Sequence, residues 1–526
     1  MPLAERIAAL NARLAAAGHA DRIPTTGARA SLPPRAGAYA SLVPLLVEAG
    51  GRLGLLIATD ERRRAGGFLL RALVLFDADG LIVEVADPLT GDRLRSITRT
   101  VPAAHWQERD AAEMFGLALE DHPEPYRHHL HEHVAPDYHP LRKDAAGPVP
   151  TAPPGTLPPA FRAVTGAGVH EIPVGPIHAG IIEPGHFRFF AVGERILHLQ
   201  IRLGWQHKGI EKSLEGLRPS AGVALAERIS GDTTIGHAWA YCQALEDASS
   251  TEVPPRALHL RALALELERL ANHVGDLGGL STDIGYAFGS AHFGRLRGEF
   301  LNRTEVLTGN RFGRSFLAPG GVRAGVDDAM ARDLLAWLPR VRADYRDVAD
   351  ELFSAGSVQA RMNDCAILSP RAARAFGLVG PAARASGIAH DTRLDFRHAP
   401  YAALAVHCAV EPHGDVAARA KLRHAEILQS LDLLDALLGA LPAGPERVPL
   451  LPLPPFRAGL GQIEAWRGEI LTWVMAGDDG LLWRVRVRDP STQNWIGVAL
   501  AIETNQVTDF PLCNKSFNLS YYGTDL

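Results

Sequence analysis

Four cysteines in 526 residues, Cys242, Cys365, Cys408 and Cys513, stand too far apart in sequence to form a local metal knuckle or a redox dithiol. Free thiols in a reducing, cytoplasmic setting are the simple consequence. Long apolar runs are also missing. Phe68–Phe76 is interrupted by Arg71, and Leu431–Leu438 carries Asp432 and Asp435, both well short of the roughly 20 residues that cross a bilayer. Work at a membrane would therefore require docking onto integral subunits. The first residues, Met1-Pro-Leu-Ala-Glu-Arg6, open an amphipathic helical pattern without the basic start, apolar block and cleavage site of an export signal, so no export is expected. A strong excess of one charge sign is missing too. A formal net charge of -5 gives no reason to expect a polyanion partner, and nucleic acid is set aside.

What is present is an ordinary globular composition, 47% hydrophobic and 21% charged, at a length that calls for two or three domains. Residues 1–144 read as a small α+β module. Leu3 to Ala17 has helical spacing, Leu53–Ala58 reads as a strand, and Ala72–Val85 reads as a hairpin turning at Asp79-Gly80. Residues 145–168 are too rich in proline and glycine for a helix or central strand and form the expected linker. Residues 169–526 carry long helical patterns. Leu260, Leu263, Leu267, Leu270 and Val274 make one apolar stripe, and 327–353 and 416–441 repeat its character. Residues 468–475 and 482–487 are β-rich. The expected fold class is multidomain α+β: a small α+β domain, then a mainly helical domain with small β-sheets.

Two blocks of the first domain, His105-Trp-Gln-Glu-Arg-Asp-Ala-Ala-Glu-Met-Phe-Gly116 and Tyr138-His-Pro-Leu-Arg-Lys-Asp144, resemble the signature of the 30-kDa subunit of respiratory complex I and its hydrogenase relatives. Glu108, Arg109, Asp110 and Glu113 at helical spacing are expected to form a charged docking face, with Arg142 and Lys143 as counter-ions. The second domain resembles the 49-kDa complex I subunit and, more closely, the large subunit of energy-converting nickel–iron hydrogenases of the formate-hydrogenlyase type. The blocks that carry this are Gly175–Phe189, Gly204-Trp-Gln-His-Lys-Gly-Ile-Glu-Lys212, Leu267–Gly278 and Gly313–Val322.

The resemblance implies four thiolate ligands, two in an Arg-Ile-Cys-Gly-x-Cys setting and two in Asp-Pro-Cys-x-x-Cys. Here the first pair falls on Ser230 and Thr233. The second falls near Asp509–Ser516, on Pro511 and Asn514 or on Cys513 and Ser516 depending on register. Hydroxyls do not replace soft thiolates, so no protein-bound cofactor is expected in this chain. In complex I the same cavity holds a quinone headgroup between a histidine and a tyrosine; those positions fall on Ile182 and Gly231, and quinone binding through other donors stays open.

By resemblance, a cavity lined by ionisable residues remains. Glu183, His178, His186, Arg228, Asp232 and His237 are its expected proton-handling set, with Glu183 foremost. His207, Lys208, Glu211 and Arg188 are expected to hold a small acceptor, and Lys212 lies beside them. The histidines at 122, 128, 129, 131, 133 and 139 lack a fixed ligand spacing and read as a solvated loop. Glu266, Glu268, His273 and Asp276 flank the leucine stripe, and most of these charges are expected to pair with neighbouring helices. The implied role is that of a peripheral subunit on the cytoplasmic face of the inner membrane, coupling electron transfer to ion translocation. A small iron–sulfur subunit and antiporter-like integral membrane subunits would be its partners. Three alternatives are a quinone-reducing NADH dehydrogenase-type subunit, a genuine nickel–iron hydrogenase subunit, and a non-catalytic scaffold that transmits conformational change.

Overall fold

In the strand Arg52–Asp60 nearly every residue is buried, because the two faces of its sheet meet two different partners. A computed structural model describes residues 3–24, 28–153, 156, 161–179 and 182–526. Arg52–Asp60, Phe68–Phe76 and Leu81–Pro88 pair antiparallel, and Arg29–Ser31 adds in parallel beside Leu81–Pro88. The hairpin of the last two long strands closes through Asp77–Asp79 and Gly80, whose φ of 61° suits a residue without a Cβ. On one face Leu56, Ala58, Leu70, Ala72 and Val74 pack under the helices Ala38–Glu48 and His105–Phe115. On the other, Leu55, Ile57, Leu73 and Leu75 pack on Leu460, Leu471, Trp473 and Met475 of the C-terminal sheet.

That C-terminal sheet consists of Ala458–Ala465, Gly468–Ala476 and Leu482–Arg488, all antiparallel. Its last strand meets the edge of Arg52–Asp60 through side chains. Arg484, Arg486 and Arg488, on one side of the strand, donate to the carbonyls of Ala58, Leu56 and Gly54 at 3.2, 3.2 and 2.6 Å. An edge strand's free acceptors are thus satisfied by three buried guanidinium groups, which joins the two halves of the chain.

The second hydrophobic core centres on the helix Pro255–Ile284, with Ala287–Thr308, Val416–Gly439 and Phe510–Phe517 against it. Helix Thr234–Ser249 lies on the C-terminal sheet so closely that a Cβ on Gly461 would stand 1.8 Å from the carbonyl oxygen of Ala240. A third antiparallel sheet, Val169–Val174, His186–Val192 and Arg195–Arg202, borders this core. Among the described residues no helix is long and apolar enough to cross a membrane.

Candidate functional site

The segment Arg228–Thr233 leads directly into helix Thr234–Ser249, which buries Ser230 and Thr233 and turns Asp232 inward. The tight hairpin between Ala458–Ala465 and Gly468–Ala476 carries Trp466 and Arg467 into the same place. Trp466 donates its indole N–H to Asp232 O and Thr233 Oγ1 at 3.1 and 3.0 Å. Arg467 grips Asp232 with two hydrogen bonds of 2.6 and 2.7 Å and also reaches Thr233 Oγ1 at 3.2 Å and Ser230 Oγ at 3.4 Å. Its Nε donates to Asn518 O at 2.6 Å, and its guanidinium lies over the Trp466 ring at 3.8 Å.

The chain's C-terminal stretch closes the far side. Ser520 Oγ lies 2.9 Å from Ser230 Oγ and accepts from Gly523 N at 2.8 Å. A Cβ on Gly523 would stand 2.4 Å from Asp489 Oδ2, the carboxylate that binds His237 Nε2 at 2.8 Å. This corrects the expected second ligand pair. Ser520-Tyr-Tyr-Gly523 keeps the Cys-x-x-Cys spacing and meets Ser230. Cys513 and Ser516 belong instead to the surroundings of Arg419: Ser516 Oγ accepts from its Nε at 2.8 Å, and the buried Cys513 thiol is pushed up to about 12 by burial. The donor set at the cradle is therefore three hydroxyls and a glycine around a guanidinium. Nickel and iron need thiolates there, and a fixed cation repels them, so these residues do not fit a nickel–iron centre.

Beside the ion pair lies a cavity of about 370 Å³ that brings His178, Glu183 and Asp232 together with Arg467, Asp276 and Lys515. Glu183 accepts the N–H groups of Tyr521 and Tyr522 at 2.8 and 3.0 Å, and burial raises its carboxyl to about 6. His178 is held on Gly185 O at 2.8 Å. For Asp232, burial would raise the carboxyl, but Arg467 and the two hydroxyls hold it down to about 2. The sequence pattern placed Glu268 among charges paired with neighbouring helices. Among the described residues it meets no basic partner but the first turn of the neighbouring helix Thr234–Ser249, accepting the N–H groups of Ile235 and Gly236 at 2.7 and 3.1 Å, and burial beside Asp232 pushes it up to about 8. Its three neighbours in that set do pair with other helices: Glu266 with Arg393, His273 with Glu426, and Asp276 with Arg423.

The other expected site residues are elsewhere. Arg228 is exposed, although its carbonyl and that of Ile229 accept from Lys208, which thereby pins the 228–233 turn. His186 faces Gly175 O, and Arg188 pairs with Glu171 and covers Phe161. His207 Nδ1 lies 2.6 Å from Asp525 O, with its ring stacked on His129. Glu211 binds Arg484 and Arg486, and Lys212 donates to Arg142 O. The expected docking face is also internal. Glu108 accepts from Tyr39, Ser96, Ile97 and Thr98; Asp110 pairs with His129 and Arg486; Glu113 accepts the N–H groups of residues 128, 129 and 130. Lys143 pairs with Glu215 across the two halves. His122, His128 and His129 are buried, which corrects the solvated-loop reading for these three; His131 and His139 are half-buried and His133 is exposed.

An α+β module welded to a helical unit, with loops converging on a four-position cradle, defines the class of complex I-like large subunits of membrane-bound hydrogenases. Residues 42–150 match the family described as respiratory-chain NADH dehydrogenase, 30 Kd subunit, and residues 283–455 match its 49 Kd subunit. Formate hydrogenlyase subunit 5 of Escherichia coli (strain K12) is 33% identical over 490 residues, covering 91% of this chain and 86% of its own length. Hydrogenase-4 component G of the same organism is 32% identical over 483 residues, 90% and 84% of the two chains. A chain of the membrane-bound sulfane sulfur reductase, an archaeal respiratory membrane complex, superimposes with a TM-score of 0.64 at 26% identity, covering 68% of this chain and 99% of that one. The chain belongs to the family of fused 30-kDa plus 49-kDa large subunits of energy-converting hydrogenases.

Proposed function

We propose that this chain is the peripheral large subunit of a membrane-bound, complex I-like oxidoreductase and couples electron transfer to ion translocation without a nickel–iron centre of its own. The observation that carries the proposal is the two-point grip of Arg467 on Asp232 inside the ring formed by Ser230, Thr233 and Ser520. A resident guanidinium supplies in permanent form the positive charge a metal would bring, and the hydroxyls satisfy it.

What such a site can do is hold and move protons. Glu183 at about 6 and Glu268 at about 8 bracket neutral pH, and Asp232 is near enough to raise both. A change of charge in an adjoining iron–sulfur subunit would redistribute protons between these carboxyls, and the two-state element would be the ion pair. Quinone reduction is a second reading. It is favoured by the cavity of about 370 Å³ in which Phe187, Phe510 and Leu519 face Glu183 and Arg467.

The partners in this reading are a small iron–sulfur subunit and antiporter-like integral membrane subunits, at the cytoplasmic face of the inner membrane. The test is purification of the tagged chain from its native membranes after gentle solubilisation. Co-purification of an iron–sulfur protein and polytopic subunits, without dihydrogen production or uptake, is expected. A chain that brings down neither, or a complex that turns over dihydrogen, would overturn the proposal.

A further inference from the structure

A second cavity, of about 380 Å³, lies between helix His105–Phe115 and its following loop on one side and strand Arg195–Arg202 with helix Pro490–Ile502 on the other. Its walls are apolar: Trp106, Leu199, Ile201, Trp495 and Ala499 among them. Its polar groups are mostly spent on one another. Glu124 faces His105 at 3.3 Å, Glu503 faces His198 at 3.2 Å, and Arg202 pairs with Glu132. The exceptions with no ion pair among the described residues are the exposed Arg162 and the partly buried Arg109. Arg109 Nε and Nη2 donate to the carbonyls of Tyr126 and Arg127 at 2.9 and 2.8 Å, and among the described residues no carboxylate lies within ion-pair distance of it.

A partly buried guanidinium held only by neutral carbonyls is costly unless an anion joins it. Burial lowers Arg109 to about 10, and the nearby carboxylates of Glu124 and Glu113 offset this only in part. Beside it, His128 is 7% exposed, packs against Trp106 with ring centroids 4.7 Å apart and planes tilted at 55°, and has no hydrogen-bond partner for Nε2 among the described residues. The cavity has the size and apolar character of a small-molecule site with a few convergent polar groups.

We infer that this inter-domain cavity binds an amphipathic organic anion, its carboxylate or phosphate head on Arg109 and His128 and its apolar tail along Leu199, Ile201, Trp495 and Ala499. Arg109 would donate to the head from Nη1, the nitrogen its backbone contacts leave free, in a charge-assisted hydrogen bond. The inference is independent of the Arg467–Asp232 cradle.

Isothermal titration of the full-length chain with decanoate, decyl phosphate and 1-decanol tests it. One-site saturable binding of at least one anion is expected, with 1-decanol at least tenfold weaker; the relative affinities of the two anions identify the preferred head. Arg109→Gln should weaken anion binding at least tenfold, and Ala499→Trp, which fills the tail region from a helix surface, should abolish it with the unfolding midpoint unchanged. Absence of saturable binding by both anions, equal binding of the alcohol, or full affinity in the folded Ala499→Trp chain would overturn the inference.

Discussion

Asp232→Asn is the most informative single change, because it removes one charge of the cradle pair and keeps the shape. Removing one partner of a fully buried pair costs about 3–5 kcal/mol, whereas exposed pairs are worth below about 1 kcal/mol. Here the Arg467 side chain is 4% exposed and that of Asp232 is 33% exposed toward the cavity, so screening brings the expected penalty to about 2 kcal/mol. The sign with pH follows from the same pair. Asp232 is depressed from 3.8 to about 2, so its contribution is complete above about pH 4 and is lost only as pH falls through about 2. The pair's own contribution is therefore the same at pH 5 and pH 8, but Asp232→Asn also relieves repulsion on Glu183 and Glu268 as they ionise, so the net penalty should be smaller at pH 8 than at pH 5. Urea unfolding of the single variants Asp232→Asn and Arg467→Met and of the double variant completes a thermodynamic cycle, in which a coupling energy of about 2 kcal/mol is expected. Additive single effects, or an Asp232→Asn chain as stable as the original, would refute the argument that the pair compensates the cradle.

Glu183 behaves oppositely. Its carboxyl is raised from 4.5 to about 6, so the stability it contributes, about 2 kcal/mol, is complete below about pH 4.5 and fades as pH rises through about 6. Glu183→Gln should flatten that part of the stability–pH curve, and an unchanged slope in the variant would count against it. Glu108→Ala should cost about 3–5 kcal/mol in a thermal or urea melt, since Tyr39, Ser96, Ile97 and Thr98 all donate to that one carboxylate; a loss under about 1 kcal/mol would restore the surface-docking reading of this helix. Gly461→Ala should cost about 3 kcal/mol, because its methyl would stand 1.8 Å from Ala240 O and strand and helix must part; a neutral substitution would contradict the packing.

The architecture was legible where pattern and burial share one cause. The stripe from Leu260 to Val274 faces a core, and Asp79-Gly80 closes its hairpin because Gly80 takes a positive φ. The charged faces were not legible. Leu482–Arg488 alternates as a half-solvated strand would, yet Arg484, Arg486 and Arg488 are spent on carbonyls more than 400 residues away, which no local period reports. The same holds for Glu108, Asp110 and Glu113, whose spacing describes a helix face but not what covers it. In the site, Ser230 and Thr233 were fixed by the Arg-Ile-x-Gly-x-x setting, whereas the second pair was sought around the available cysteine, Cys513. The usable signal was spacing without sulfur: Asn518-Leu-Ser-Tyr-Tyr-Gly523 has the frame of Asp-Pro-Cys-x-x-Cys. Arg467 had no signal at all, since it reaches the cradle from a hairpin more than 230 residues beyond Asp232.

Elemental analysis of the intact complex purified from native membranes tests the central claim most directly. With a guanidinium and three hydroxyls in the cradle, nickel should be absent at any fixed ratio to this chain, and the iron should be accounted for by the iron–sulfur partner. One nickel per copy of the chain, lost on Ser230→Ala or Ser520→Ala, would contradict the account.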